Sequence, residues 1–273
     1  MLSTKQLHDI EQLQNEVEAH DDLELKLNWE MLRTRDSDGL DFFQYENGDI
    51  TAFIGLYAFG STVEVTGMVK PDKRRKRHFT NLFEQAMAAA VRIGFKKILL
   101  NAPAESTAAK EFLKKIGASY QFSEHQMRWQ PQSLEASTGF KLRKATIDDL
   151  EMRIRLDVEA FDIPKEDAAA MESRIDGDAD ADIFMIDAED ETVGKIRIER
   201  QNNQAWIYGF SILPKHQGKG IGRKVLRHVV KKQHELGYSV HLDVETKNAH
   251  ALGLYEAIGF KIVHAQDYYL YKG

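Results

Sequence analysis

The sequence of 273 residues contains no cysteine. This absence excludes disulfide bonds, thiolate nucleophiles, cysteine-based zinc sites and iron–sulfur clusters. No uncharged apolar run approaches the roughly 20 residues that a membrane-spanning helix needs. Residues 1–22 also lack the apolar core of a signal peptide. We therefore expect a cytoplasmic protein that does not cross a membrane.

Charge of one sign does not dominate either part of the chain. The net charge is −6, and the two halves, divided after residue 135, carry −3 each. Neither half is a basic domain, which argues against nucleic acid as the main partner. Hydrophobic residues make up 42% of the chain and charged residues 29%, as in a globular protein with a sizeable core. Composition leaves the oligomeric state open between monomer and homodimer.

The chain contains one long internal repeat. Pro71 and Gly94 recur as Pro214 and Gly237 at an offset of 143 residues, and EFLKKIGASY recurs as GLYEAIGFKI at an offset of 142. One long period seen twice indicates a duplicated domain rather than a solenoid. We predict two copies of one fold, at residues 1–132 and 138–273, joined by the polar segment QPQSLEAST.

Residue patterns predict a mixed α/β fold for each copy. In the C-terminal copy they give the order βααβββαβαββ, an antiparallel meander that leads into a βαβ unit. The predicted last two strands lie within KIVHAQDYYLYKG. The N-terminal copy follows a similar plan, in which the alternating segment LELKLNWEML predicts a strand after the first helix.

The segment IYGFSILPKHQGKGIGR carries the first chemical signal. A predicted strand ends at Pro214, a loop with Gly218, Gly220 and Gly222 follows, and a helix begins with Arg223 in its first turn. Glycines let the backbone approach a ligand closely, and the helix N-terminus favours an anion. The spacing matches neither GxxxxGK[ST] nor GxGxxG, so the P-loop and Rossmann fingerprints are excluded.

The segment LDVETKNAHALGLYEAIGF carries the second signal. Asn248 stands at a predicted helix entrance after a strand. Tyr255 follows seven residues later, so that both side chains share one helix face. Taken alone, Tyr255 would be interpreted as an amphipathic core residue.

Together the two segments resemble the GNAT superfamily of acyl-CoA-dependent N-acyltransferases. The family pattern [Q/R]xxGx[G/A] is matched by Gln217-Gly218-Lys219-Gly220-Ile221-Gly222. The second family pattern is matched by Leu242-Asp243-Val244, Asn248, Ala251, Leu254-Tyr255 and Gly259-Phe260, with Asp243 in place of a glutamate. The resemblance spans the C-terminal copy. It implies two domains, each a mixed, mainly antiparallel twisted sheet flanked by helices.

The resemblance implies acetyl transfer from acetyl-CoA to a primary amine. The residues it assigns to the cofactor are Phe210, Ser211, Ile212, Gln217, Gly218, Lys219, Gly220, Ile221, Gly222, Arg223 and Asn248. The loop amides would hold the pyrophosphate and the strand backbone would pair with the pantetheine arm. Tyr255 matches the family's general acid. Asp243 is the candidate base, with Glu245 and Glu199 as alternatives and a solvated carboxylate as an equal interpretation.

The N-terminal copy also resembles the family, but its motif is broken. Arg74 fills the Gln/Arg position, Arg77 and Phe79 replace two glycines, and Leu113 stands in place of Tyr255. Bulky side chains at these positions should block the approach of a pyrophosphate. We expect this copy to act as scaffold or substrate wall.

Two other signals carry less weight. The run KRRKR at residues 73–77 is interpreted as a solvated turn rather than a nucleic-acid patch. The acidic run at residues 176–182 is rejected as a calcium loop because Ile183 replaces the required glycine. No metal is therefore expected. The alternative to an enzyme is a non-catalytic acyl-CoA-binding or interaction module, and the sequence does not decide the acceptor amine.

Overall fold

The computed structural model describes residues 1–35, 39–176, 182–201 and 203–273. These residues form two compact units. Unit 1 comprises residues 1–123 and 264–273, and unit 2 comprises residues 124–263. The last ten residues of the chain therefore belong to the unit that contains its N-terminus.

Helices and strands alternate along the chain in a repeated order. The first half contains α1 (Thr4–Asp21), α2 (Trp29–Thr34), β1 (Asp41–Glu46), β2 (Asp49–Phe59), β3 (Thr62–Val69), α3 (His78–Ile93), β4 (Lys97–Pro103), α4 (Thr107–Lys115) and β5 (Ser119–Trp129). The second half contains β6 (Lys141–Lys144), α5 (Leu150–Phe161), α6 (Lys165–Asp176), β7 (Asp182–Ala188), β8 (Glu191–Gln201), β9 (Gln204–Ile212), α7 (Ile221–Glu235), β10 (Ser239–Glu245), α8 (Ala249–Ile258) and β11 (Phe260–Tyr271).

The sheet of unit 1 has the strand order β1-β2-β3-β4-β11. Only β3 and β4 run parallel in this set, and the other neighbours are antiparallel. One apolar cluster packs α3 against the sheet, with Leu82, Phe83 and Ala86 at its centre. A second cluster, built from Ile10, Leu13, Val17, Phe53 and Met68 among others, packs α1 against it.

The strand predicted at residues 23–32 is wrong. Residues 23–28 form no strand, and α2 follows them. The side chain of Asn28 accepts a hydrogen bond from the Met31 amide at 2.9 Å, which caps the helix. The alternation of apolar and polar residues predicted a strand. It could not show that Asn28, within this alternating segment, caps a helix.

The sheet of unit 2 has the strand order β5-β10-β9-β8-β7-β6. Its parallel pair is β9 and β10, and the remaining neighbours are antiparallel. The main apolar cluster joins α7 and α8 to one face of this sheet through side chains such as Val225, Leu226, Ile207 and Leu242. Strand alternation places Arg197, Trp206 and Asp243 on the opposite, polar face.

The predicted final strand pair is also wrong, because β11 is one strand of twelve residues. The polar residues in its middle find partners within unit 1. Gln266 donates to the Glu24 carbonyl at 2.9 Å, and Asp267 accepts from the Ser123 hydroxyl at 2.6 Å. These long-range bonds keep the polar stretch in the strand where the sequence suggested a turn.

The predicted fold class is confirmed. Each unit is a mixed, mainly antiparallel sheet flanked by helices, and the two family-type repeats lie in the predicted order. Within the described ranges, no helix is both long enough and apolar enough to span a membrane.

Gly194 of β8 lies where β9 approaches most closely. A Cβ atom at this position would come within 3.0 Å of the Ser211 carbonyl oxygen and of Ile212. We expect Gly194→Ala to destabilise the protein by about 1–3 kcal/mol, because a strand backbone cannot yield as a flexible side chain can. Chemical denaturation monitored by circular dichroism measures this loss.

Gly253→Ala is the matched control. Gly253 lies in α8, and a Cβ atom there would meet nothing within 4 Å. This substitution should stabilise the helix by about 0.5–1 kcal/mol. Equal stability of the two variants would contradict the close approach of β9 to Gly194.

Candidate active site

The loop between β9 and α7 holds its glycines in left-handed conformations. A short 3₁₀ turn (Pro214–His216) ends β9, and Gly218 and Gly220 follow with φ of 76° and 79°. A Cβ atom at either glycine would meet nothing within 4 Å. The backbone is therefore open to close approach from outside at both positions.

The N-terminus of α7 leaves backbone donors available. Its first helical bond runs from the Lys224 amide to the Gly220 carbonyl, at 3.2 Å. The amides of Ile221, Gly222 and Arg223 precede that bond, and no side chain in the described part of the chain caps this helix. Such amides, together with the positive end of the helix dipole, favour an anion.

Polar side chains of the loop have different tasks. Gln217 donates to the Ile212 carbonyl at 2.8 Å, which ties the loop to the end of β9. Lys219 lies 3.7 Å from a carboxylate oxygen of Glu189. Arg223 is exposed in the first turn of α7. Gln217 thus shapes the loop, while Lys219 and Arg223 place positive charge at its surface.

Strand β9 contains a bulge beside this loop. Tyr208 pairs with Arg197, whereas the next pair joins Ser211 to Lys195, so β9 has one residue more than β8 in this stretch. Gly209, with φ of 54°, lies within the extra length. A bulge turns the strand and redirects the residues that follow it.

Strands β9 and β10 part at the bulge. Their parallel pairing ends at Ile207 and Leu242, although β9 continues to Ile212 and β10 to Glu245. Among the described strands, β9 has only β8 and β10 as neighbours. The β10-facing edge of residues 208–212 is therefore open to an extended partner, since strand backbone groups require hydrogen bonds.

The side chains of this strand segment point to both faces of the sheet. Phe210 and Ile212 lie against Gly222, whose Cβ position is 3.6 Å from the Phe210 ring and 3.8 Å from Ile212. Ser211 shares a face with its cross-strand partner Lys195, on the polar side. Leu254 of α8 also comes within 3.9 Å of that Gly222 position. The glycine loop, β9 and α8 thus meet on the α7 side.

Tyr255 is buried in the apolar cluster of unit 2, with 8% of its surface exposed. Its ring packs edge-on against Phe260, with the centroids 5.9 Å apart. Burial raises the pKa of the Tyr255 hydroxyl to about 12. The hydroxyl therefore stays protonated at neutral pH and can act as a proton donor.

Asn248 caps α8. Its side-chain oxygen accepts a hydrogen bond from the Ala251 amide at 3.0 Å. The side-chain NH2 group keeps its donors, and Asn248 is exposed. Asn248 thus stands at the entrance of the helix that contains Tyr255, as predicted.

The three candidate bases lie on strands of unit 2. Asp243 and Glu245 belong to β10 and pair with Gln126 and Glu124 of β5. Glu199 forms an ion pair with Arg197. Alternation turns Asp243 away from its neighbours Leu242 and Val244, which pack in the same cluster as Tyr255. Asp243 and Tyr255 consequently belong to opposite faces of the sheet.

Unit 1 repeats the backbone of the loop but not its surface. Arg75 and Arg77 occupy the two left-handed positions, with φ of 62° and 66°. Arg74 donates to the Val69 carbonyl at 3.3 Å, as Gln217 does to Ile212. The loop conformation has therefore been kept at the cost of backbone strain, about 1–2 kcal/mol for each non-glycine residue.

Unit 1 also exchanges a glycine for an aromatic ring. Phe79 occupies the place of Gly222, and Gly67 that of Phe210. The Phe79 ring reaches within 2.8 Å of the Gly67 Cβ position and packs edge-on against Phe112 at 4.8 Å. In unit 1 the aromatic ring belongs to the helix, as Phe79, whereas in unit 2 it belongs to the strand, as Phe210. Phe79 therefore stands at the helix entrance that Gly222 leaves open.

The basic run at residues 73–77 forms ion pairs within unit 1. Lys73 lies 2.7 Å from Glu46, Arg74 binds Asp21 through two bonds of 2.8 and 2.6 Å, and Arg75 lies 3.1 Å from Glu111. Part of the acidic run at 176–182, including Asp178 and Asp180, lies outside the described residues. Among those described, no group of three or more His, Asp or Glu side chains could hold a metal ion.

Gly209 was missed by the sequence analysis. An isolated glycine inside a strand pattern indicates a bulge, and the repeat contains a second signal. The copies are offset by 142 residues at the Val65–Leu100 and Ile207–Leu242 pairs, but by 143 between Pro71 and Gly94 and their counterparts Pro214 and Gly237. The change from 142 to 143 falls at the bulge.

Comparison with known proteins agrees with this architecture. The model of the acetyltransferase (GNAT) family matches residues 4–118 and 147–260. The chain belongs to this family. A crystal structure of a GCN5-related N-acetyltransferase from Sphaerobacter thermophilus superposes with a TM-score of 0.76, covering 96% of this chain and 91% of the other, at 18% identity. A tandem GNAT protein from the clavulanic acid biosynthesis pathway gives 0.69 over 97% and 94%, at 14% identity.

A curated relative matches over a shorter range. The spermine/spermidine N(1)-acetyltransferase of Bacillus subtilis is 31% identical over 72 residues. That alignment covers 26% of this chain and 47% of the relative, so the chain spans about half the length of this protein.

Proposed function

We propose that the protein is an N-acetyltransferase that moves an acetyl group directly from acetyl-CoA to a primary amine, on a small molecule or a peptide N-terminus. Residues 138–273 would be the catalytic copy and residues 1–132 the degenerate one. The observation that carries the proposal is the open glycine loop beside a strand whose edge lacks a partner strand. The relative from B. subtilis, named for acetylation of spermine and spermidine, supports an amine acceptor.

The residues present fit acetyl-CoA. Gly218 and Gly220 provide a cradle that any Cβ atom would narrow, and the first amides of α7 favour a pyrophosphate. Arg223 and Lys219 would add positive charge at its rim. The open edge of Phe210, Ser211 and Ile212 suits the amide groups of a pantetheine arm, and the Asn248 NH2 group could bind the same arm.

Bound acetyl-CoA would supply the acetyl group as an activated thioester. The backbone of Phe210–Ile212 would place N–H donors near the carbonyl oxygen, where negative charge develops during attack. Tyr255 would donate its proton to the departing sulfur, because its high pKa keeps it protonated. Asp243 would accept the proton that the amine loses. The amide bond forms as the thioester bond breaks, and one proton passes to each side.

The arrangement separates the two proton transfers. Tyr255 lies with the α7 and α8 side of the sheet, where the loop is, and Asp243 lies on the polar face. The acyl donor and the acceptor amine would therefore approach β9 from different sides. Unit 1 lacks this arrangement, since Leu113 is buried at the place of Tyr255 and the Phe79 ring stands at the place of Gly222.

The direct test is acetyl-CoA consumption with a panel of polyamines, amino acids and short peptides. We expect release of CoA with at least one amine and mass spectrometric detection of its acetylated product. Tight CoA binding without turnover of any amine would instead support a non-catalytic acyl-CoA-binding module. We make three predictions about variants.

Gly220→Ala should weaken CoA binding. A methyl group at this left-handed position projects into open space where the phosphate would approach, so we expect the Kd to rise at least about tenfold by calorimetry. Gly237→Ala is the control, because Gly237 is also left-handed and open but follows the other end of α7. Both variants should lose about 1 kcal/mol of stability, and equal CoA affinities would count against the loop assignment.

Tyr255→Phe should lower kcat by about 100-fold or more, the usual contribution of general acid catalysis. The Kd of CoA and the melting temperature should change little, because only the hydroxyl is lost. With a pKa of about 12, wild-type Tyr255 should cause no fall in kcat between pH 6 and 10. Tyr238→Phe is the control for loss of a hydroxyl, and unchanged turnover by Tyr255→Phe would refute the assignment.

Asp243→Asn should lower kcat/KM by about 100-fold near neutral pH. The loss should shrink as pH rises, because more of the amine is then already deprotonated. Glu245→Gln and Glu199→Gln serve as comparisons on the same sheet, and pH–rate profiles separate the three. If Glu199→Gln or Glu245→Gln alone shows this behaviour, that residue is the base instead of Asp243.

A further inference from the structure

Unit 2 contains a buried cluster of four charged side chains. Arg153 and Asp157 come from α5, Glu172 from α6 and Lys195 from β8, and each is at most 5% exposed. Lys195 lies 2.7 Å from Asp157 and also pairs with Glu172, while Arg153 lies 2.8 Å from Glu172. Two positive and two negative charges thus balance one another beneath the helices.

The equivalent positions of unit 1 carry no charge. Gln14 occupies the place of Asp157 and accepts a hydrogen bond from the Trp29 indole at 2.9 Å. Ile10 occupies the place of Arg153 at the offset of 143. The cross-strand pair Phe53–Met68 occupies the place of Lys195–Ser211. Ile10, Phe53 and Met68 are all buried in one hydrophobic cluster. The same fold is therefore built without any charge at these positions.

Stability alone does not explain the cluster. Removing charged groups from water costs several kcal/mol for each ion, and apolar replacements of similar volume are often neutral or stabilising. Burial raises the pKa of Asp157 against the opposing effect of Lys195, which reflects this cost. Unit 1 provides an uncharged solution within the same chain. The charges of unit 2 thus call for a role other than holding the fold together.

The cluster lies against the strand that would bind the thioester. Lys195 pairs directly with Ser211, between Phe210 and Ile212, whose side chains face Gly222. The glycine loop proposed for the acyl donor lies on the side of the sheet that Phe210 and Ile212 face. The Ser211 hydroxyl is buried on the cluster's side and has no hydrogen-bond partner among the described residues. A buried hydroxyl without a protein partner requires a polar group beside it, from a water molecule or a ligand.

We propose that Arg153, Asp157, Glu172 and Lys195 form a positioning network that fixes α5 and α6 against β8 and β9 and so sets where the acceptor amine meets the thioester strand. The proposal rests on the function proposed above. The network touches neither donor nor acceptor directly. It acts by holding the wall on the side opposite the glycine loop, since small displacements of that wall change the angle and distance of attack.

The double variant Lys195→Met/Asp157→Leu tests the network. It removes both ion pairs of Lys195 and leaves Arg153 paired with Glu172. The net charge is unchanged, because one positive and one negative side chain are lost. We expect the melting temperature to be maintained or raised, and the Kd of CoA to be unchanged. The KM of the acceptor amine should rise about tenfold, and kcat/KM should fall by about 10- to 100-fold. Steady-state kinetics with the best amine of the panel, thermal denaturation and calorimetry give these values.

Arg143→Met/Asp149→Asn is the matched control. This pair also lies in unit 2 and joins β6 to the turn before α5 through bonds of 2.7 Å. Its removal should lower the melting temperature and leave the acceptor KM unchanged. A kinetic defect of similar size in both double variants would mean that the cluster acts only through stability, which would overturn the proposal.

Asp157→Asn keeps the volume of the side chain and is informative if the double variant fails to fold. It should raise the acceptor KM several-fold at an unchanged Kd of CoA. If the wild-type protein turns over an amine and Asp157→Asn has the same kinetics, the network proposal is overturned, while the proposed function stands. No turnover by the wild-type protein with any amine would overturn the proposed function and the network with it.

Discussion

The parting of β9 from β10 is the constraint on which the candidate site depends. Parallel strands normally satisfy each other's backbone groups along their shared length. Here the pairing stops at Ile207 and Leu242, and the one-residue bulge at Gly209 follows directly in β9. The open edge that results adjoins the glycine loop and the N-terminus of α7. Donor groups for an extended ligand and for an anion therefore lie next to each other.

The bulge also determines which side chains face which side. After the extra residue, Phe210 and Ile212 face Gly222, and Ser211 faces Lys195. Tyr255 packs on the first side and Asp243 lies on the other, so the proposed acid and the proposed base belong to opposite faces of one sheet. In acetyl transfer the amine loses a proton and the departing sulfur gains one. Two groups on opposite faces suit such a reaction, because each has to handle only one of these protons.

The two copies show that backbone and chemistry can diverge independently. Unit 1 keeps the left-handed loop with arginines and the parting of its parallel strands at Val65 and Leu100. It has exchanged the positions of glycine and phenylalanine, so that Phe79 fills the helix entrance. Under its first helix it carries Ile10, Phe53 and Met68, which are buried in one apolar cluster. At this site unit 1 therefore differs from unit 2 both in its side chains and in lacking the extra residue of the bulge.

Sequence patterns captured what is local and missed what is tertiary. The repeat, the fold class, the glycine loop and the shared helix of Asn248 and Tyr255 could be predicted, because each depends on spacing within a short segment. The helix at Trp29–Thr34 and the unbroken β11 could not, because an Asn28 cap and long-range partners of Gln266 decide them. The buried charges were beyond reach for the same reason. Arg153, Glu172 and Lys195 lie far apart in the chain. Burial of each charge alone would be unfavourable, and only the packed structure shows that they form ion pairs with one another.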